Sequence, residues 1–524
     1  MFKILKLNLI LLFSFTCILV LEAKNDSLVF ISEITFNSDF EKQAFHNYFS
    51  CDSSNYFELY MSINQDMNKE NYSKYLSRFE NHLKEINTDY FQRKKESKKI
   101  KTIYNIIHDS YLDKYDEQSF FPDIFKKGNY NCVSGSILYG LALKELQIPF
   151  DVKETPNHIY LVAYPNTSSI LIETTNPIKG LFVFDFYFKG NFVDYLRDNK
   201  LISSEEYNNR SVNELFEEYF FREENITIKE LAGIQYSNDA IFKMARQKYE
   251  DAFYQLEKSY LFYPSEKTAF LLLYTAANVI ERNDYSELKY ADFIYKLSRY
   301  EKYGITKNDI LGEFGRITQT HLLYNGNTVL YDNFYNKIIE NIENKDTKDE
   351  IAFVYNYERG RILNNQFKYG DAIDFLEKAY DLKPGNSDAQ NLFVNSLIKV
   401  YSRENEAEDI LEILNNYSDK HPELMQNVQF AQLKLTIYLF LIDNSFIMKN
   451  AVLGEKYIDI FKELYPEKND NYFNIDAYIV RAFSSAATYY FRRNMYTSSR
   501  NILLKGLEYV PGNYELKNRL RALE

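Results

Sequence analysis

One stretch decides the fold of the second half of the chain: Tyr369-Gly-Asp-Ala-Ile-Asp-Phe-Leu-Glu-Lys-Ala-Tyr-Asp-Leu-Lys-Pro384. Its apolar and small residues recur at intervals of 3, 4 and 3, which places them on one face of a helix. A proline follows and ends that helix. The residues of this pattern are Tyr369, Ala372, Leu376, Ala379 and Pro384.

The same spacing, with the same final proline, recurs over residues 249–264 and 496–511. Small residues at its second and fourth positions predict that a neighbouring helix packs closely against this face. The pattern resembles the second helix of the tetratricopeptide repeat, and weaker copies near residues 288, 410 and 454 give a spacing of about 40 residues. We expect an all-α helical solenoid of roughly six or seven hairpins over residues 236–524. Such an array presents a concave face that binds a protein or peptide.

In the first half of the chain, the sequence around Cys132 follows a different pattern. A loop rich in turn-forming residues, 128–131, leads directly into an apolar helix that ends before Pro149. Asn131 is the predicted N-cap, so Cys132 lies in the first helical turn. Unpaired N–H groups and the helix dipole stabilise an anion there, and the sequence therefore predicts a lowered thiol pKa.

Strands are predicted after this helix. The β-branched and aromatic run His158–Tyr164 indicates a strand, Ile170–Thr175 indicates a second, and 180–188 indicates a third. Glu173 is a lone carboxylate at the end of an apolar run, where it needs a partner because burying an unpaired charge is costly. A cysteine at a helix start is thus followed by a histidine and an acid on successive strands.

This order resembles the transglutaminase-like superfamily, over roughly residues 95 to 190 of a predicted domain 24–235. The resemblance implies an α+β, papain-like fold for the N-terminal half. It also implies that Cys132 is the nucleophile, that His158 exchanges the proton, and that Glu173 orients the imidazole. The backbone N–H of Cys132 is a natural oxyanion donor.

Two features depart from the family pattern. The family usually has an aspartate in place of Glu173, and often a tryptophan in place of Tyr160. A tight hairpin through 166–169 would set Glu173 opposite about Leu161 and bring Asn176 nearer to His158. Asn176 is therefore the alternative third member of the triad.

The N-terminal residues and the composition limit the classes of function that the sequence predicts. Residues 1–23 have the basic start and the apolar run of a signal peptide, with an uncleaved anchor as the alternative, so we expect a periplasmic or secreted protein without further membrane segments. The net charge of −12 argues against nucleic acid as a partner. The six histidines show no ligand spacing and no phosphate-binding or dinucleotide motif is present, so neither a metal nor a cofactor is expected.

Two functions remain open. One is an exported thiol enzyme, a peptidase, amidase or acyl transferase, that holds its polypeptide substrate on the repeats. The other is a non-catalytic envelope interaction protein in which the cysteine domain is degenerate and the repeats act as a scaffold. A disulfide between Cys51 and Cys132 is a further alternative, which would remove any thiol chemistry.

Overall fold

A computed structural model describes residues 28–50, 55–155, 158–168, 170–174, 186–220, 224–402, 406–465 and 474–523. The chain forms two compact units, one ending at Ile342 and one beginning at Glu343. The predicted signal peptide, Cys51 and Asn176 lie outside the described residues. The predicted domain limit at 235/236 falls inside a helix, Ile228–Ala245, and the domain organisation proposed from sequence stays a prediction.

The first unit is mainly helical. Its α-helices are α1 (Asp39–Ser50), α2 (Tyr56–Met61), α3 (Lys69–Ile86), α4 (Asp89–Gln92), α5 (Glu96–Tyr111), α6 (Phe121–Lys127), α7 (Cys132–Glu145), α8 (Phe186–Asp198), α9 (Ser204–Asn209), α10 (Val212–Phe220), α11 (Ile228–Ala245), α12 (Tyr249–Phe262), α13 (Glu266–Asn283), α14 (Ala291–Leu297), α15 (Lys307–Ile317) and α16 (Thr328–Asn341). Single 3₁₀ turns cover Ile31–Glu33, Leu288–Tyr290 and Glu301–Tyr303, and a π-helix covers Thr318–Tyr324.

The strands of this unit are short. They are β1 (Lys114–Tyr115), β2 (Asn129–Tyr130), β3 (Phe150–Thr155), β4 (His158–Ala163), β5 (Ile170–Ile172) and β6 (Glu224–Ile226). The first two form a parallel pair, and the other four form an antiparallel sheet in the order β5-β4-β3-β6.

The expectation of an α+β N-terminal domain is therefore wrong. The structure is 74% helical and 4% strand, and its sheets are small. The physical reason is that, among the strands in the described part of the chain, only β3 and β4 reach six residues, so helices cover most of the apolar surface that a larger sheet would bury. The third strand predicted over 180–188 is also wrong where it can be compared, because Phe186 already begins α8; residues 180–185 lie outside the described part.

The helix that begins at Cys132 is largely buried in this unit. Every residue of α7 from Val133 to Leu143 is buried, as its almost uniformly apolar sequence requires. Strand β4 lies against it and alternates in burial, with Ile159, Leu161 and Ala163 inward. Ser136 donates to the carbonyl of Ile159 over 3.2 Å, which fixes the start of β4 beside the start of α7.

Buried ion pairs connect the N-terminal segment to later helices of the first unit. Lys258 Nζ on α12 lies 2.8 Å from Glu41 Oε2 on α1, and both side chains are fully buried. Tyr236 donates to the same carboxylate over 3.0 Å. Charges this deep in a fold are stable only when they are paired and hydrogen-bonded in this way.

All the secondary structure described in the second unit consists of helices. They are α17 (Lys345–Asn365), α18 (Tyr369–Leu382), α19 (Ser387–Tyr401), α20 (Ala407–Lys420), α21 (Val428–Ile447), α22 (Ala451–Leu464), α23 (Asp476–Phe491), α24 (Tyr496–Tyr509) and α25 (Tyr514–Arg521), with a 3₁₀ turn at Pro422–Gln426. Among the described helices of the chain, α21 alone is long and apolar enough to cross a bilayer, and 72% of that apolar window is buried in the fold.

One tight turn recurs between paired helices. In each case a residue with positive φ follows the first helix, and the N–H of the next residue returns to a carbonyl five positions back, which is the Schellman geometry. The positive-φ residues are Gln247, Phe367, Lys449 and Asn494. These turns reverse the chain within about three residues, so each pair forms an antiparallel hairpin.

The stripe identified in the sequence is buried at these hairpins. Ala372, Leu376 and Ala379 of α18 have no exposed surface. A Cβ atom at Gly360 of α17 would lie 2.6 Å from Leu376 Cγ, so only glycine permits this approach of the two helices.

Candidate functional site

Cys132 is the first residue of α7, and the loop before it is held by Asn131. The prediction of Asn131 as N-cap is confirmed: its side-chain oxygen accepts from the N–H of Ser134 at 2.8 Å, and Ser134 Oγ accepts from the N–H of Asn131 at 2.9 Å. The amide nitrogen of Asn131 donates to the carbonyls of Glu117 and Ser119. These bonds fix the backbone on which the thiol is carried.

The thiol is partly buried, and its pKa differs from the sequence prediction. Burial raises the pKa of Cys132 to about 11, although the N–H groups of Ile159, Val133 and Cys132 itself favour the thiolate. The predicted lowering is therefore wrong, because desolvation of the charge outweighs the helix N-terminus. The contact with the Ile159 amide brings the sulfur beside the residue that follows His158.

His158 and Glu173 are in direct contact. His158 Nε2 lies 2.5 Å from Glu173 Oε1, with 13% of the histidine side chain and 38% of the glutamate side chain exposed. The other ring nitrogen, Nδ1, is buried. The imidazole therefore contacts the carboxylate through Nε2. The charge of Glu173 also acts on the thiol and raises the pKa of Cys132 further.

The strand register explains why His158 and Glu173 meet. β4 pairs with β5 so that Leu161 lies opposite Ile172. Continued by one residue, this register sets Glu173 opposite Tyr160, on the face that also carries His158 two residues away. The tight hairpin considered from sequence set Glu173 opposite Leu161, and a slip of one residue moves a side chain to the other face.

The segment after β5 also packs against the helix start. Thr174 is buried, and a Cβ atom at Gly135 would lie 3.1 Å from Thr174 Cβ, so the second turn of α7 touches the residue next to Glu173. Asn176, the alternative third member, lies outside the described residues. The described parts of the chain thus bring Cys132, His158 and Glu173 into one region around the start of α7.

Tyr115 is a neighbour of the thiol that sequence reasoning missed. Strand β1, which carries Tyr115, pairs with β2, which is separated from Cys132 by Asn131 alone. The rings of Tyr115 and Tyr130 pack edge-on with centroids 5.8 Å apart. Burial raises the pKa of the Tyr115 phenol, and the negative charge of a Cys132 thiolate raises it further. A two-residue parallel strand has no periodicity that a sequence pattern could reveal.

No known family matches the sequence, and a comparison with curated proteins finds no significant match.

Proposed function

We propose that the first unit is a thiol enzyme that acts on peptide or amide bonds, as a hydrolase or an acyl transferase of the transglutaminase-like kind. The observation that carries this proposal is the 2.5 Å contact between His158 Nε2 and Glu173 Oε1, beside a cysteine at a buried helix start. The proposal concerns the chemistry of these residues and not the α+β fold.

The raised thiol pKa decides the order of proton transfer. At neutral pH the resting thiol of Cys132 is protonated, because its pKa is about 11. The imidazole of His158 takes this proton as the sulfur attacks the acyl carbon, and Glu173 stabilises the resulting imidazolium. The imidazolium then returns the proton to the leaving amine, which leaves a thioester on Cys132. Attack by water gives hydrolysis, whereas attack by another amine gives acyl transfer.

The start of α7 provides charge stabilisation for this chemistry. The N–H groups of Cys132 and Val133 belong to the first helical turn and have no acceptor within the helix. They already favour negative charge on the sulfur, as their effect on the thiol pKa indicates. The same donors are available to the oxyanion that forms when the acyl carbon is attacked.

The test is formation of an acyl-enzyme. The full chain is mixed with an activated acyl ester, and the modified residue is found by peptide mass spectrometry. We expect acylation at Cys132 that is lost in Cys132→Ala and is unchanged in the matched control Cys51→Ser. Equal acylation of Cys132 in the parent chain and in His158→Ala would overturn the proposal.

We infer further that the helical hairpins hold a protein or peptide, as tetratricopeptide-like arrays do. The support is the recurring turn at Gln247, Phe367, Lys449 and Asn494 and the buried 3-4-3 stripe on the helix that follows three of these turns. Pull-down with Leu376→Asp, which disrupts one hairpin core, should lose partners that Cys132→Ala retains.

A second candidate function is a non-catalytic interaction module. The observation that favours it is the burial that keeps the Cys132 thiol protonated at neutral pH. In that case Cys132→Ala would behave in cells like the parent chain, and Leu376→Asp would not.

We propose export for the whole chain on the basis of residues 1–23. Cell fractionation and N-terminal sequencing of the recovered protein test this. A mature chain that begins near residue 24 supports a cleaved signal peptide, and an intact N-terminus in a membrane fraction supports the anchor. An intact chain in the cytoplasm overturns both.

A further inference from the structure

A second histidine of the chain, His421, lies among carboxylates in the second unit. Glu377 and Asp381 are four residues apart on α18, so their side chains project from the same face of that helix. His421 follows the last residue of α20. One carboxylate oxygen from each acid and one ring nitrogen of His421 all lie within 4.8 Å of one another.

The imidazole of His421 is directed into this group. His421 is 7% exposed, and its Nε2 lies 2.9 Å from Asp381 Oδ1 without the alignment of a hydrogen bond. On the other side of the ring, Nδ1 faces Glu423 Oε1 at 3.6 Å, and Tyr380 donates to that same oxygen over 2.9 Å. Asp381 favours a proton on Nε2, so a metal ion that binds this nitrogen must displace that proton, while Glu423 can accept a proton from Nδ1.

A cation already occupies the position between the two acids. Lys420 Nζ lies 2.6 Å from Glu377 Oε1 and 2.8 Å from Asp381 Oδ2. The Lys420 side chain is 48% exposed, so its ammonium can leave towards solvent. Glu377 and Asp381 are therefore placed to stabilise a positive charge, and the Lys420 ammonium that they now contact can be displaced by another cation.

The geometry points to a site for one divalent transition metal of the Zn²⁺ class, with Glu377, Asp381 and His421 as ligands and Lys420 as the built-in competitor. Two carboxylates and an imidazole suit Zn²⁺ or Mn²⁺, whereas Ca²⁺ and Mg²⁺ take oxygen ligands only. Ligands around Zn²⁺ lie about 3 to 4 Å apart, so the present group needs only a small closing movement.

The experiment is a calorimetric titration of the full, chelator-treated chain with Zn²⁺ alone. We expect the parent chain to bind one ion. In His421→Ala we expect this binding to be lost, or its affinity to fall at least about tenfold. In Lys420→Ala the same ion should bind about tenfold more tightly, since the competing charge is gone. The matched control is Lys383→Ala, because Lys383 pairs with Glu350 elsewhere in the same unit, and there the affinity should not change.

Two results would overturn the site. One is binding that is unchanged by His421→Ala, which would assign the ion to another place. The other is no binding to either the parent chain or Lys420→Ala at millimolar Zn²⁺. If circular dichroism shows that His421→Ala does not fold, Glu377→Gln replaces it as the deciding variant. The Glu377 side chain is partly exposed, so this substitution disturbs the fold less.

Discussion

The two units each contain a largely buried histidine beside a carboxylate, and the two differ in what else is present. In the first unit His158 contacts Glu173 at 2.5 Å, and the neighbouring group is the Cys132 thiol. In the second unit His421 lies 2.9 Å from Asp381, and the neighbouring groups are a second acid and a lysine. A histidine–carboxylate pair alone therefore does not define a function.

The third group decides the chemistry of each pair. A thiol can give up a proton and form a bond to carbon, so the pair beside it is suited to proton exchange. A second carboxylate adds negative charge without any nucleophile, so the pair beside it is suited to hold a cation. Variants that act on one histidine and not on the other separate these two roles.

The largest effect is expected for His158→Ala. Removal of the general base should slow acylation of Cys132 by roughly a hundredfold to ten-thousandfold. The measurement is the rate of acyl-enzyme formation with an activated ester, followed by mass spectrometry. The matched control is His421→Ala, which should leave this rate unchanged; a similar loss in both variants would mean that general destabilisation, and not proton exchange, is being observed.

The next effect concerns the acid that contacts His158. Glu173→Ala should slow acylation by about a hundredfold, because the imidazolium loses its orienting charge. Glu173→Gln should cost less, about tenfold, since an amide oxygen can still accept from Nε2. The rates of the two variants are compared at saturating ester. Unchanged rates in both would remove Glu173 from the triad and leave Asn176 as its third member.

The pH profile of the thiol gives a smaller and more specific effect. Since the pKa of Cys132 is raised to about 11, the thiolate fraction is low at neutral pH and grows as pH increases. Alkylation of Cys132 by iodoacetamide should therefore rise about tenfold per pH unit between about pH 6 and pH 9. Peptide mass spectrometry measures the rate at each pH. A plateau that begins in acid, typical of a stable thiolate–imidazolium pair, would contradict this expectation.

The site around Cys132 could be predicted from the sequence because each of its parts depends on residues that are close together along the chain. The N-cap Asn131 and the strand that begins at His158 each have a signal within a few residues. The strand register had no such signal, because it depends on the exact residue at which the chain turns between Ala163 and Ile170. The thiol pKa was predicted in the wrong direction because desolvation depends on all the elements packed around the sulfur.

The α+β expectation failed for a similar reason. Strands β3 and β4 have clear patterns, but a pattern does not tell how many strands will join them. The group around His421 was invisible for the opposite reason. Its side chains come from α18 and from the residue after α20, some 40 residues apart along the chain, and only packing brings them together. The spacing of histidines in the sequence therefore carries no information about this group.

The smallest effect is expected for the stability of the metal-free chain. Lys420 contacts two acids, yet it is half exposed, so Lys420→Ala should lower the free energy of unfolding by less than about 1 kcal/mol. Lys383→Ala, at another exposed pair, should behave similarly. Denaturant unfolding without metal measures both. A much larger loss of unfolding free energy in Lys420→Ala alone would show that the ammonium is a structural part of the second unit rather than a displaceable cation. Of the two histidine–carboxylate pairs, only His158 with Glu173 would then keep a proposed function.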